Sequence, residues 1–336
     1  MQLSLKRSLT AVAMLITGAL PLCVFAADDD AARVRSTVDS VIPQLMSRED
    51  IAGMAVAVTM NGHAYVFNYG TRSKETGAPV DDHTLFEIGS VSKTLTATLA
   101  SYALVSGRLS LDDHPGRFVP ALRGRPIDRA SLLHFGTYTA GGLPLQFPDA
   151  VGASDDDAVR YLASWKPRAK PGVEREYSNV SLGLFGDVAG AALGNGFAKS
   201  METQILPGLG MSESYLHVPP AAASDYAWGY RAGQPVRVHP GPFDLETYGI
   251  KTTALDLIRF VQDNIDPKPL EPTMRSAVEA THVGYFRVAD MTQGLGWEQY
   301  AWPTSEEQLL RGNSDDMIGR PNPVVALTPA ASNGAR

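Results

Sequence analysis

The stretch "FEIGSVSKTL", residues 86–95, sets Ser90 and Lys93 three positions apart at the head of an apolar run. On a helix, residues i and i+3 share a face, so the hydroxyl and the amine meet. A neutral serine is a poor nucleophile and needs a base beside it. Lysine fills that role only when burial or a neighbouring cation lowers its pKa. A helix start also supplies a partial positive charge and backbone N–H groups suited to a developing oxyanion. Ser-x-x-Lys is short enough to recur by chance, and its bland reading is a helix cap followed by a surface lysine. The neighbours tell against that reading. Ser92 and Thr94 flank Lys93 on an otherwise apolar helix, without the charged company a solvated lysine usually keeps.

A second group lies in "EREYSNVSLGLFG", where Tyr177 and Asn179 precede another apolar run. A phenol whose pKa is depressed by cations takes a proton from serine and returns it to a leaving group. An amide hydrogen-bonds a substrate carbonyl. Alone, the pair reads as a half-buried tyrosine with Asn179 capping the next helix. Beside Ser90 and Lys93 it becomes informative.

Such groups need elements to hold them. Val91, Leu95, Leu99 and Tyr102 recur at helical spacing and Gly107 is a natural stop, which predicts a helix from Ser90 with Val91, Leu95 and Leu99 as its apolar face. Residues 31–47 also have helical spacing, with Pro43 predicted to kink or split them. Two strand-like runs flank Asn61-Gly62, the signature of a two-residue hairpin turn. Helical patches follow at 156–164 and 254–265 between Pro- and Gly-rich stretches. The order implies α+β or α/β layers with an inserted helical region.

The chain has 336 residues, 44% hydrophobic and 19% charged, an ordinary globular composition for one large domain or two intimate ones. The net charge of −7 and the lack of a basic tract argue against nucleic acid. Residues 1–26 read as a secretory signal peptide: Lys6 and Arg7, an apolar stretch, then Val24 and Ala26 before a cleavage point. Cleavage removes Cys23, the sole cysteine, and with it any disulfide or thiol chemistry. The seven histidines are scattered, with no H-x-H or H-E-x-x-H, so no metal site is expected.

The segments "FEIGSVSKT", "TYTAGGLPLQF", "YSNVSLGLFG", "YGIKTTALDL" and "QGLGWE", in this order, resemble those of the class C serine β-lactamases, the chromosomal cephalosporinases. The resemblance runs from about residue 34 to about residue 312. It implies an α/β (α+β) sandwich beside a helical domain, the fold shared with penicillin-binding proteins. It implies Ser90 as the acylated serine, Lys93 as the proton shuttle and Tyr177 as the general base. Gln146 and Asn179 then hold the substrate's amide side chain, and Tyr248 lines the pocket wall. The activity implied is hydrolysis of β-lactam antibiotics, cephalosporins favoured, through a serine acyl-enzyme. The implied partner is a small-molecule β-lactam, met without cofactor by a periplasmic monomer that has no nucleic-acid partner and no stable membrane insertion.

The family's third motif, Lys-Thr-Gly on a strand facing the serine, has no match here. "KETG" at 74–77 is misplaced and "KTT" at 251–253 lacks the glycine. The expectation is a chain incomplete at its C-terminus, lacking strands of the sheet and weak or inactive in turnover. Two other readings stay open: a related esterase or D-Ala-D-Ala peptidase, and a catalytically dead penicillin-binding module.

Overall fold

The computed structural model describes residues 23–328, so the expected signal peptide lies outside the described residues as far as residue 22. The first helix, Cys23–Arg48, runs unbroken through Pro43. It lays Val34 and Val38 on Phe67 of the hairpin, with Val56 and Val58 alongside. The hairpin pairs Gly53–Met60 with His63–Gly70, from Gly53 opposite Gly70 to Met60 opposite His63. Asn61 (φ +53°) and Gly62 (φ +81°) both adopt the left-handed conformation that a tight hairpin turn demands. The helix Ala254–Ile265 packs on the same hairpin, where Gln262 donates to Thr59 Oγ1 and to the Gly62 carbonyl.

The helical body is built around Ser92–Val105, which lies against the helices Asn179–Leu193 and Pro272–Thr281. Leu95, Ala97, Leu99 and Ala103 are wholly buried on it. So are Thr96 and Thr98, because a helix covered on most sides has little solvent face for polar residues. Each threonine hydroxyl is satisfied by a carbonyl: Thr96 donates to Glu246 and Thr98 to Thr94. The sequence reading placed Val91 on the buried face, but it is exposed. It belongs to a preceding 3₁₀ turn, Gly89–Val91, whose three-residue period rotates it out of the α-helical stripe.

Short strands then pin the chain around this body. Phe86–Glu87 and Ser214–Tyr215 flank Lys251–Thr252 in a three-stranded sheet. Glu174–Arg175 pairs with Asn322–Pro323. An antiparallel sheet runs Glu298–Gln299, Met291–Gln293, Phe286–Val288, Val325–Ala326. The expected mixture of helical and sheet layers is present, and among the described residues no helix is long and apolar enough to cross a membrane.

Candidate active site

Ser90 sits where strand becomes helix. The strand Phe86–Glu87 ends at Ile88, and Gly89 turns the chain at φ +57°, a conformation costly for any residue with a Cβ. The 3₁₀ turn that follows carries Ser90, and the α-helix starts at Ser92. Lys93, the second residue of that helix, lies three positions on and shares a face with Ser90. Their Nζ and Oγ atoms are 2.9 Å apart.

Lys93 is 1% exposed. Its Nζ also donates to the Thr247 carbonyl at 2.9 Å. That carbonyl belongs to the short helix Asp244–Thr247, fastened to the serine helix by Thr96 and, beyond its end, by the Ile250 N–H on Ser92 Oγ. Among the described residues no carboxylate pairs with the ammonium. Burial therefore acts unopposed and lowers its pKa to about 7.

Tyr177 arrives from the opposite wall. It follows the strand Glu174–Arg175 and precedes the N-cap of the helix Asn179–Leu193. The cap is Ser178, whose Oγ accepts from the Ser181 N–H and donates to the Pro144 carbonyl. Asn179, the cap in the bland sequence reading, is instead the first helical residue. The Tyr177 side chain faces the same cavity as Ser90, and its ring centre lies 5.1 Å from Lys93 Nζ. The phenol's pKa is nevertheless raised, chiefly by burial. The sequence reading assumed a phenol depressed by cations. In the structure Lys93 is itself desolvated, so the group most easily freed of its proton near neutral pH is the amine.

A cavity of about 410 Å³ opens on these three groups. Tyr138, Trp297, Glu298, Asn313 and Ile318 complete its walls. Sequence reasoning quoted "TYTAGGLPLQF" and "QGLGWE" but did not single out Tyr138, Trp297 or Glu298; their place in those segments was the available signal. Tyr138 is buried at φ +60° with its ring 5.0 Å from that of Tyr177. A bulky residue in this conformation is strained, and such strain gathers at functional sites. Gln146, Asn179 and Tyr248 do not line this cavity. Gln146 is exposed, beside Leu145, whose carbonyl accepts the Asn179 N–H. Asn179 Oδ1 is buried with no partner among the described residues. Tyr248, half-buried, follows the residue whose carbonyl holds Lys93.

Residues 38–320 match the family model described as Beta-lactamase. The chain belongs to the beta-lactamase family. It is 51% identical over 302 residues to a beta-lactamase of Pseudomonas fluorescens, a match spanning 89% of this chain and 84% of that one. A crystal structure of a class C beta-lactamase in complex with cefoxitin superimposes with a TM-score of 0.85 at 44% identity, over 89% of this chain and 84% of that one. The D-alanine carboxypeptidase AmpC from Burkholderia cenocepacia is similar at 45% identity and a TM-score of 0.84, over 92% and 85% of the two chains. This β-lactamase thus has the class C fold, and as a family member it is a hydrolase of the β-lactam amide bond.

Proposed function

We propose that this β-lactamase works through an acyl-enzyme on Ser90. The 2.9 Å contact between Ser90 Oγ and the buried Lys93 Nζ carries the reading. The neutral amine accepts the serine proton as Oγ bonds to the ring carbonyl carbon. Collapse of the tetrahedral adduct breaks the ring C–N bond, and the Tyr177 phenol delivers a proton to the departing nitrogen. The Lys93 ammonium, which took the serine proton, then returns a proton to the Tyr177 phenolate. Water then cleaves the ester, returns the proton to Ser90 and releases a substituted β-amino acid. Asn179 is proposed to accept an amide N–H from the substrate side chain, a role supported by its buried Oδ1, which has no partner among the described residues. Gln146 and Tyr248 are proposed to flank that side chain.

Cephalosporins are the proposed preferred substrates, supported by the cefoxitin complex of the class C relative. A second reading, cleavage of D-Ala-D-Ala peptides, is favoured by the carboxypeptidase relative and shares the acylation step. The leader-like residues 1–26 support action in the periplasm, where the protein is proposed to work as a monomer. The test is stopped-flow reaction with a chromogenic cephalosporin, with intact-mass detection of the adduct. Wild-type protein should gain one acyl group and turn over, while Ser90→Ala should gain none. An adduct on Ser90→Ala, or none on wild type, refutes the assignment. Acylation by a D-Ala-D-Ala peptide faster than by the cephalosporin would support the second reading.

A further inference from the structure

Arg175 is among the largest fully buried side chains of the protein, at 1% exposure, and the acylation chemistry above does not use it. A buried guanidinium is costly unless its N–H groups are all engaged. Here Nε donates to Gln293 Oε1 at 2.6 Å and one terminal nitrogen to the Met317 carbonyl at 2.9 Å. The other terminal nitrogen pairs with the Glu298 carboxylate. These three partners come from two strands of the C-terminal sheet and from the turn Asp315–Ile318. The guanidinium also stands against two rings, 5.3 Å from the centre of Tyr138 and 5.8 Å from that of Tyr177. Tyr138 is fixed from its own side as well, because its carbonyl accepts the Glu176 N–H at 3.0 Å.

We propose that Arg175 is a positioning residue that holds the Tyr177 ring against Ser90 by clamping it, with Tyr138, to the Gln293–Met317 wall of the cleft. The inference rests on the reading of Ser90, Lys93 and Tyr177 given above. One side chain two residues before the phenol thereby ties together three walls of the cleft: the strand leading to Tyr177, the Tyr138 loop and the sheet bearing Glu298.

The clamp is also electrically balanced. The titratable groups facing Tyr177 are Lys93, Tyr138, Arg175 and Glu298. Arg175 favours the phenolate and Glu298 opposes it. Removing one member of the pair leaves the other uncompensated, so the two deletions must move the phenol in opposite directions. Loss of packing alone would not produce that pattern.

The experiment labels tyrosine with ¹³C at Cζ, assigns Tyr177 by its absence in Tyr177→Phe, and titrates it in Arg175→Met, Arg175→Lys and Glu298→Gln. Single-turnover acylation by a chromogenic cephalosporin is measured on the same proteins. Arg175→Met should raise the Tyr177 pKa and Glu298→Gln should lower it, each by about one unit. Arg175→Lys keeps the charge and should titrate near wild type. Arg175→Met and Arg175→Lys should slow acylation by about 10- to 100-fold with little change in KM, because the ring is no longer held in line. If Arg175→Met does not fold, Arg175→Lys carries the test: slowed acylation with an unshifted Tyr177 titration supports the clamp, and wild-type acylation overturns it. Unchanged titration and acylation in the folded variants, or shifts of the same sign, overturn the clamp. A wild type that takes no acyl group on Ser90 instead overturns the reading on which it rests.

Discussion

Replacing Lys93 by methionine removes the one buried amine of the site while keeping most of its volume. In the folded protein burial holds that amine near pKa 7, against 10.5 in an exposed chain. Between those values the unfolded state carries a proton that the folded state lacks, so stability rises with pH across the window, by about 1.4 kcal/mol per unit at most. Below pH 7 both states are protonated, and the folded protein bears the full penalty of a buried charge. At pH 7.5 the lysine costs roughly 4 kcal/mol and at pH 9.5 roughly 1 kcal/mol, from one-site linkage on these two pKa values. Methionine has no such term but leaves the Thr247 carbonyl without its donor, a loss of about 1–3 kcal/mol that does not depend on pH. The unfolding free energy of Lys93→Met minus that of wild type should therefore fall by about 2–3 kcal/mol between pH 7.5 and 9.5. Urea unfolding of both proteins at several pH values measures it, and groups common to the two cancel. A difference that stays flat with pH means that folding does not depress the amine, and the general-base assignment to Lys93 then fails.

The same titration governs catalysis, so kcat/KM of the wild type should rise with pH through about 7 as the amine loses its proton; a pH-rate profile with a chromogenic cephalosporin reads it. Tyr177→Phe should keep the fold but lose about 10²–10⁴ in kcat, since the departing nitrogen has lost its proton donor, and steady-state kinetics with a thermal melt separate the two effects. Gly296 is at φ +68°, and a Cβ there would come within 2.9 Å of the Lys93 carbonyl and 3.1 Å of Ala97 Cβ. Gly296→Ala should thus cost about 2–4 kcal/mol by urea unfolding and lower activity by pushing Trp297 away from the serine helix. By contrast Gly62→Ala, at φ +81° with open space around it, should cost only about 1 kcal/mol and leave kinetics unchanged.

Several elements could be read directly from the sequence because their determinants are local. Asn61-Gly62 dictates its hairpin through φ preferences alone. The helix predicted over 254–265 is found at Ala254–Ile265, where Thr253 accepts the Asp256 N–H as cap. Ser90 and Lys93 meet because residues three apart at a helix start share a face. Other features were not legible for the opposite reason. Val91 looked like core, yet the 3₁₀ turn brings it to the surface. Arg175 looked like one more charged residue in "EREYSN", yet it is buried among partners 118 to 142 positions further along.

The sequence by itself determined which groups are available and which neighbours in the chain share a face: the serine and its lysine, the turn residues, the helical stripes and the run of family segments. Only the tertiary structure decided what those groups can do. It brought Tyr177, 87 positions further along, to the cavity that Ser90 lines, set the Thr247 carbonyl on Lys93, and made the amine rather than the phenol the easier group to free of its proton. The physical reason is that spacing along a chain fixes local geometry, whereas a pKa depends on burial and on charges contributed by distant segments.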